Sequence, residues 1–320
     1  MNGYCMQVID LAKYYSFHGR GTLKAVDGVN LAVPHGSVFG VVGESGCGKS
    51  TLGNCMMRLV EPSGGRVFFE GEDISNQPRR TILPKLRRMQ MVFQNPYSSF
   101  NPKLKLSYSI REACRLFDMD SAKIDSRIDE LLEQISLTRD DFNRFPHELS
   151  GGQLQRLAIA RALLLDPGFI VADEPVSALD VSVQAQILNL IMDLRKVYGM
   201  TMLFISHDLT VVEHVCDEIA IMYLGIIVEA GKTAPVFSGM LHPYSRALMS
   251  ATPEIDPLKK RESRVILAGD IPTAIDIPCG CRFHPRCPEC MAECRESKPA
   301  LVEARPGHFV ACHLYRDGLR

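Results

Sequence analysis

The chain of 320 residues contains no tryptophan, and aromatic residues make up only 7% of it. It also lacks an excess of either charge: 36 Lys and Arg face 37 Asp and Glu, for a net charge of −1. That balance excludes a protein held on nucleic acid by bulk positive charge. No stretch approaches the roughly 18 uninterrupted apolar residues that a membrane-spanning helix needs. The opening residues, Met1-Asn-Gly-Tyr-Cys5, lack the basic and apolar segments of a secretion signal. No repeat of fixed period is present. With 46% hydrophobic and 23% charged residues, the composition is that of a folded globular protein.

Cysteine is not scarce. There are 11, and six of them (Cys279, Cys281, Cys287, Cys290, Cys294 and Cys312) lie in the last 42 residues. Disulfide scaffolds are small and secreted, so in a chain of this size such a group reads as a metal or cluster site.

Periodicity predicts an α/β protein. The first 90 residues read as short β segments broken by glycines, with one helix over 50–59 after the apolar run Val38–Val42. Helical spacing dominates 106–165. Strand-like runs return at Phe169–Ala172 and Met202–Ile205, around an amphipathic stretch at 182–197, and 218–228 reads as a hairpin turning at Gly225. Alternating strand and helix with a helical insertion implies a parallel sheet bearing a helical subdomain. Past about residue 250 the chain turns rich in proline and then cysteine, and a boundary is expected there.

Gly43-Glu-Ser-Gly-Cys-Gly-Lys49-Ser50 fits G-x-x-x-x-G-K-[ST] between a strand and a helix. Glycines let successive backbone N–H groups turn inward around a phosphate, and the helix adds its positive end. Gly43, Glu44, Ser45, Gly46, Cys47, Gly48, Lys49, Ser50 and Thr51 are therefore the expected nucleotide-binding loop. Lys49 reaches the β- and γ-phosphates, and the Ser50 hydroxyl completes a Mg²⁺ shell. The apolar run from Phe169 ends in Asp173 and Glu174, a pair suited to holding Mg²⁺ and polarising the attacking water.

Leu149-Ser-Gly-Gly-Gln153 narrows the reading. With the phosphate loop and the acidic pair, it makes the chain resemble the ATP-binding-cassette (ABC) family. Gln94 in Phe93-Gln-Asn-Pro96, Ser177-Ala-Leu-Asp180 and His207 in Ile205-Ser-His-Asp208 follow in the same order. The resemblance implies a P-loop ABC nucleotide-binding domain with a helical subdomain at about 100–165. In it Glu174, His207, Lys49 and Gln94 are catalytic, and Ser50, Gln94 and Asp173 attend Mg²⁺. Tyr15, with Tyr14 beside it, matches the adenine-stacking aromatic. Ser150, Gly151, Gly152 and Gln153 serve the ATP of a partner subunit, and Asp180 lies at the dimer seam.

Gln94–Pro102, Glu174–Ser182 and His242-Pro-Tyr-Ser-Arg-Ala-Leu248 are similar to the oligopeptide/dipeptide/nickel importer group and to its F-type ATPase subunit. That similarity implies a translocase for oligopeptides, dipeptides or related solutes, peripheral on the cytoplasmic face of the membrane. Its partners are a second, different ATPase subunit, two transmembrane permeases and, indirectly, an extracytoplasmic solute-binding protein, with no nucleic acid. The competing readings are a soluble ABC ATPase acting on nucleic acid or ribosomes, and an importer ATPase for nickel or another non-peptide solute. By the same resemblance, residues 1–250 form the ATPase domain and 251–320 a small Cys-rich C-terminal region. There Cys281, Cys287, Cys294 and Cys312 match the ligands of a [4Fe–4S] cluster. Cys279 and Cys290 lie outside that pattern and leave a zinc site or unligated thiols as alternatives.

Overall fold

A computed structural model of the chain describes residues 3–17, 21–117, 120–251 and 273–316. Its strands are β1 (Tyr4–Phe17), β2 (Gly21–Pro34), β3 (Val38–Val42), β4 (Gly64–Phe69), β5 (Glu72–Asp73), β6 (Met89–Val92), β7 (Phe169–Asp173), β8 (Thr201–Ser206), β9 (Glu218–Tyr223), β10 (Ile226–Lys232), β11 (Val302–Arg305) and β12 (His308–Val310). Its helices are α1 (Lys49–Met56), α2 (Arg79–Arg87), α3 (Leu106–Leu116), α4 (Ser121–Gln134), α5 (Arg139–Phe142), α6 (Gly151–Leu163), α7 (Val181–Tyr198), α8 (Leu209–Val215), α9 (Thr233–Ser238), α10 (Pro243–Ala251) and α11 (Glu293–Glu296).

The larger sheet runs β11-β12-β10-β9-β3-β8-β7-β6, and β9, β3, β8, β7 and β6 are mutually parallel. Strands buried on both faces read as unbroken apolar runs, and β3 and β7 are buried at every position. Period-two alternation then divides each strand between two cores. Val38, Ile170, Met202 and Phe204 face the core made with the helical segment, including Leu154, Leu157 and Ile187. Val41, Val171, Leu203 and Ile205 face the opposite core, with Leu52 and Met56 of α1 and with Val8 and Val67 of the smaller antiparallel sheet, β2-β1-β4-β5.

Three features depart from the sequence reading. The expected short segments of the N-terminal part are two paired strands of 14 residues, β1 and β2. Register shifts near Asp10, and a positive φ of 74° at Gly28, let each strand run through what reads as a break. A second helix, α2, forms over Arg79–Arg87 despite an internal proline, Pro84, and buries only Ile82. Finally, the β11–β12 hairpin from the C-terminal part joins the larger sheet by antiparallel pairing of β12 with β10. The chain beyond 250 thus contributes strands to the same sheet as the phosphate loop. Residues 252–272, where the expected C-terminal region begins, lie outside the described residues.

Candidate active site

Parallel strands carry their carboxyl ends to one edge, where ligands bind in open α/β sheets. Val42, Ser206, Asp173 and Val92 end β3, β8, β7 and β6 along that edge. Each is followed by a residue singled out in the sequence. The loop after β3 carries Gly43 to Ser50, β6 leads to Gln94, β7 ends in Asp173 with Glu174 next, and β8 leads to His207.

The loop is glycine-dependent for steric reasons. A Cβ at Gly43 would lie 2.2 Å from the Met222 carbonyl oxygen. One at Gly48, whose φ is 109°, would lie 2.0 Å from the Ala25 carbonyl oxygen. Gly48 is also the residue from which α1 starts. Lys49 is buried, and its Nζ donates to the carbonyls of Gly43 at 2.8 Å and Glu44 at 3.1 Å. The Gly225 N–H donates to the Cys47 carbonyl at 2.9 Å, tying the loop to the β9–β10 turn. Cys47 itself is 4% exposed, and burial pushes its thiol pKa up.

Ser50 Oγ donates to Asp173 Oδ1 at 2.9 Å. Burial raises the Asp173 carboxyl above its usual range, with the Ser50 bond lowering it and adjacent Glu174 raising it. A buried carboxylate that stays raised despite the Ser50 hydroxyl and the Lys49 ammonium has charge left to meet a divalent cation, so Ser50 and Asp173 fit Mg²⁺. Beside them, Gln94 Nε2 donates to Glu174 Oε2 and to Ser177 Oγ, each at 3.1 Å. His207 Nδ1 lies 3.0 Å from the same Glu174 oxygen. Glu174 adopts a positive φ of 46°, a conformation that stores strain in a non-glycine residue. Its N–H donates to the Ile205 carbonyl at 2.9 Å, which anchors it to β8. Lys49, Ser50, Gln94, Asp173, Glu174 and His207 are thereby gathered at one edge of the sheet.

Other expected residues sit apart. Ser150 caps α6, and its side chain and that of Gln153 satisfy each other's backbone N–H groups in a capping box. Gly151 and Gly152 back onto Leu179 and Val183, not onto the phosphate loop. Asp180 is exposed at the N-cap of α7. Tyr15 is half-buried with the Lys13 ammonium 4.9 Å from its ring centroid, whereas the Tyr14 hydroxyl is committed to Asp27.

Sequence profiles and relatives agree with this geometry. The ABC transporter family profile matches residues 26–177, and the profile for the C-terminal region of oligopeptide/dipeptide transporters matches residues 228–294. YkfD of Bacillus subtilis (strain 168) is 47% identical over 316 residues, covering 98% of this chain and 96% of that protein. The chain belongs to the ATP-binding proteins of the ABC transporter family. The dipeptide transport ATP-binding protein DppF of Haemophilus influenzae is 44% identical over 313 residues, covering 96% of this chain and 95% of its own length. Among solved structures, the ATP-binding cassette MJ0796 in a dimeric post-hydrolysis state with ADP and Pi superposes with a TM-score of 0.63 at 29% identity. It covers 71% of this chain and 98% of its own. Like its relatives this ABC ATPase binds and hydrolyses ATP. Among the described residues no helix is long and apolar enough to cross a membrane.

Among the described residues no group of three or more His, Cys, Asp or Glu side chains is placed to hold a metal ion. Cys281 and Cys294 pack into the main core with Phe283, whereas Cys312 belongs to a separate small cluster with Leu241 and Val310. Burial, together with the nearby thiols, pushes Cys287 to about 11 and Cys312 to about 12. Cys281, Cys287 and Cys294 lie close enough to Cys312 for their charge to raise its thiol, and no ligand set is formed among the described residues.

Sequence reasoning missed the contacts around Glu44. Its N–H donates to the Tyr244 hydroxyl at 2.9 Å, and its carboxylate takes both Arg286 guanidinium nitrogens, at 2.9 and 3.0 Å. Tyr244 lies in the His242-Pro-Tyr run, but neither residue carries a local signal for a partner some 200 positions away.

Proposed function

We propose that the chain is the F-type ATPase of a peptide importer and that one cycle runs as follows. The phosphate loop and Lys49 bind ATP, with Tyr15 against the adenine. Ser50, Asp173 and Gln94 would hold Mg²⁺, which would neutralise charge on the phosphates. Glu174 orients a water and takes its proton as the water oxygen attacks the γ-phosphorus, the bond to the β–γ bridging oxygen breaks, and ADP leaves. His207 donates to the γ-phosphate oxygens. Most of the rate comes from positioning and fixed charge, as phosphoryl transfer requires.

The observation that carries this reading is the convergence of Gln94 and His207 on one carboxylate oxygen of Glu174, beside the Ser50–Asp173 pair. That arrangement holds the carboxylate ready for a water next to a cation site. The Ser150–Gln153 segment, whose glycines back onto Leu179 and Val183, serves the ATP of a second and different ATPase subunit, with Asp180 at the seam. The pair docks on two permeases at the cytoplasmic membrane face and receives cargo through an extracytoplasmic binding protein. The names of the relatives favour peptides as that cargo. We take 1–250 as the ATPase unit and 251–320 as an appendage joined to its sheet. The four-thiolate centre implied for that appendage has donor chemistry in its favour, without a ligand set formed among the described residues; iron and zinc analysis of the full chain decides the point.

Glu174→Gln is the direct test. A general base supplies about 10²–10⁴-fold, so hydrolysis in the assembled transporter should fall by at least about 100-fold while ATP binding is retained. Near-normal turnover would remove Glu174 from the role.

A further inference from the structure

Glu44, the second residue of the phosphate loop after β3, is gripped at four atoms. Its carbonyl oxygen accepts from Lys49 Nζ at 3.1 Å, its N–H donates to Tyr244 Oη at 2.9 Å, and its carboxylate is bridged by Arg286 at 2.9 and 3.0 Å. Two of these grips come from the part of the chain matched by the transporter C-terminal profile. Arg286 is 9% exposed, and its guanidinium also approaches the Tyr223 hydroxyl at 3.5 Å. The Tyr244 ring is wedged between Tyr223 and Phe283, with centroids 4.7 and 5.5 Å away. Four residues before Arg286, buried Arg282 pairs with Asp27 on β2 and donates to the Leu224 carbonyl, so the segment is pinned on both sides of the loop.

We propose that Arg286 is a positioning residue for ATP binding, with Tyr244 as its helper: through Glu44 they fix the entry of the phosphate loop and the direction of the carbonyl that Lys49 contacts. A bidentate guanidinium–carboxylate pair fixes two groups in plane and in register, which a single ammonium does not. The loop binds phosphate only when its N–H groups converge, and a loop free to rotate at Glu44 spends part of its time in arrangements that do not. Apparent affinity falls by the fraction of competent loops. The C-terminal part is thereby a component of the nucleotide site and not a passenger on it. The inference rests on nucleotide binding at 43–50, which MgATP binding by the unaltered chain checks separately.

The test is a double-mutant cycle on the full-length chain, reading the dissociation constant for MgATP by calorimetry and the melting temperature alongside it. Arg286→Gln and Glu44→Gln should each weaken binding about tenfold, and the double variant should be no weaker than either. Arg286→Lys should fall between the original and Arg286→Gln. Losses that multiply in the double variant would show that the two residues act separately and overturn the proposal. So would unchanged affinity in a folded Arg286→Gln. Should Arg286→Gln fail to fold, Tyr244→Phe keeps the ring and removes only the hydroxyl. It should weaken binding two- to threefold at an unchanged melting temperature, and full affinity would refute the grip on Glu44.

Discussion

His242 offers a test of how firmly the C-terminal part is seated. The imidazole is 1% exposed, and its Nδ1 accepts the Tyr244 N–H at 3.0 Å. Burial lowers its pKa from 6.5 to about 4; the charge of Glu229 opposes that fall and Arg246 adds to it. Between those values the unfolded chain binds a proton that the folded chain refuses. The contribution to stability is therefore complete above pH 6.5 and is lost as the pH falls toward 4. The gap is worth about 3 kcal/mol in full and about 2 kcal/mol by pH 5. Glu229, whose carboxyl is buried yet lowered overall by bonds from His308 and from the N–H groups of Leu241 and His242, loses stability in the same direction. It does so only below its unfolded value of 4.5, so the window from pH 7 to 5 belongs to His242. Urea unfolding of the full chain at pH 7 and pH 5, alongside His242→Asn, isolates the effect. The unaltered chain should lose about 2 kcal/mol more than the variant across that interval. Equal losses would show that the imidazole is not held neutral and would refute the argument.

Two further outcomes are expected. Cys47 sits inside the phosphate loop, but its buried, uphill-shifted thiol should resist alkylation at neutral pH. Iodoacetamide should therefore label the exposed Cys279 first, as peptide mass mapping will show, and rapid loss of ATPase activity through Cys47 would contradict this. Ser150→Ala removes the cap of α6 and should lower urea stability by about 1 kcal/mol, with Ser150→Thr largely sparing it.

The gathering of the site residues at one sheet edge was legible in the sequence because each lies at or just after the end of an apolar strand. Gly43 to Ser50, Asp173, Glu174 and His207 are placed by their own local segments, and parallel pairing brings those segment ends together. Gln94 was legible for the same reason. What could not be read is long-range. The register that sets Gly231 opposite His308 depends on a hairpin closing 77 residues away in sequence, and nothing in either strand encodes the other. The Arg286–Glu44 pair spans 242 positions, and a lone Arg near cysteines reads as a solvated charge. Helix α2 was hidden by Pro84, whose effect on propensity is strong in a helix interior but tolerable in a short surface helix that buries only Ile82. The spacing of cysteines along the chain likewise says nothing about which of two apolar clusters each one enters.

The pairing of β12 with β10 bears on anyone who shortens this protein to ask what its cysteines are for. Cutting before Cys279 would strip β10 of its neighbour along Glu229, Ala230 and Gly231. It would also leave the fully buried Glu229 carboxylate without the His308 imidazole that sits 2.7 Å from it. A bare strand edge invites foreign strands, and a buried charge left with the N–H groups of Leu241 and His242 is less well compensated than before. Truncation would therefore perturb the ATPase sheet itself, whatever the thiols do. Cys→Ser exchanges one at a time are the informative cut.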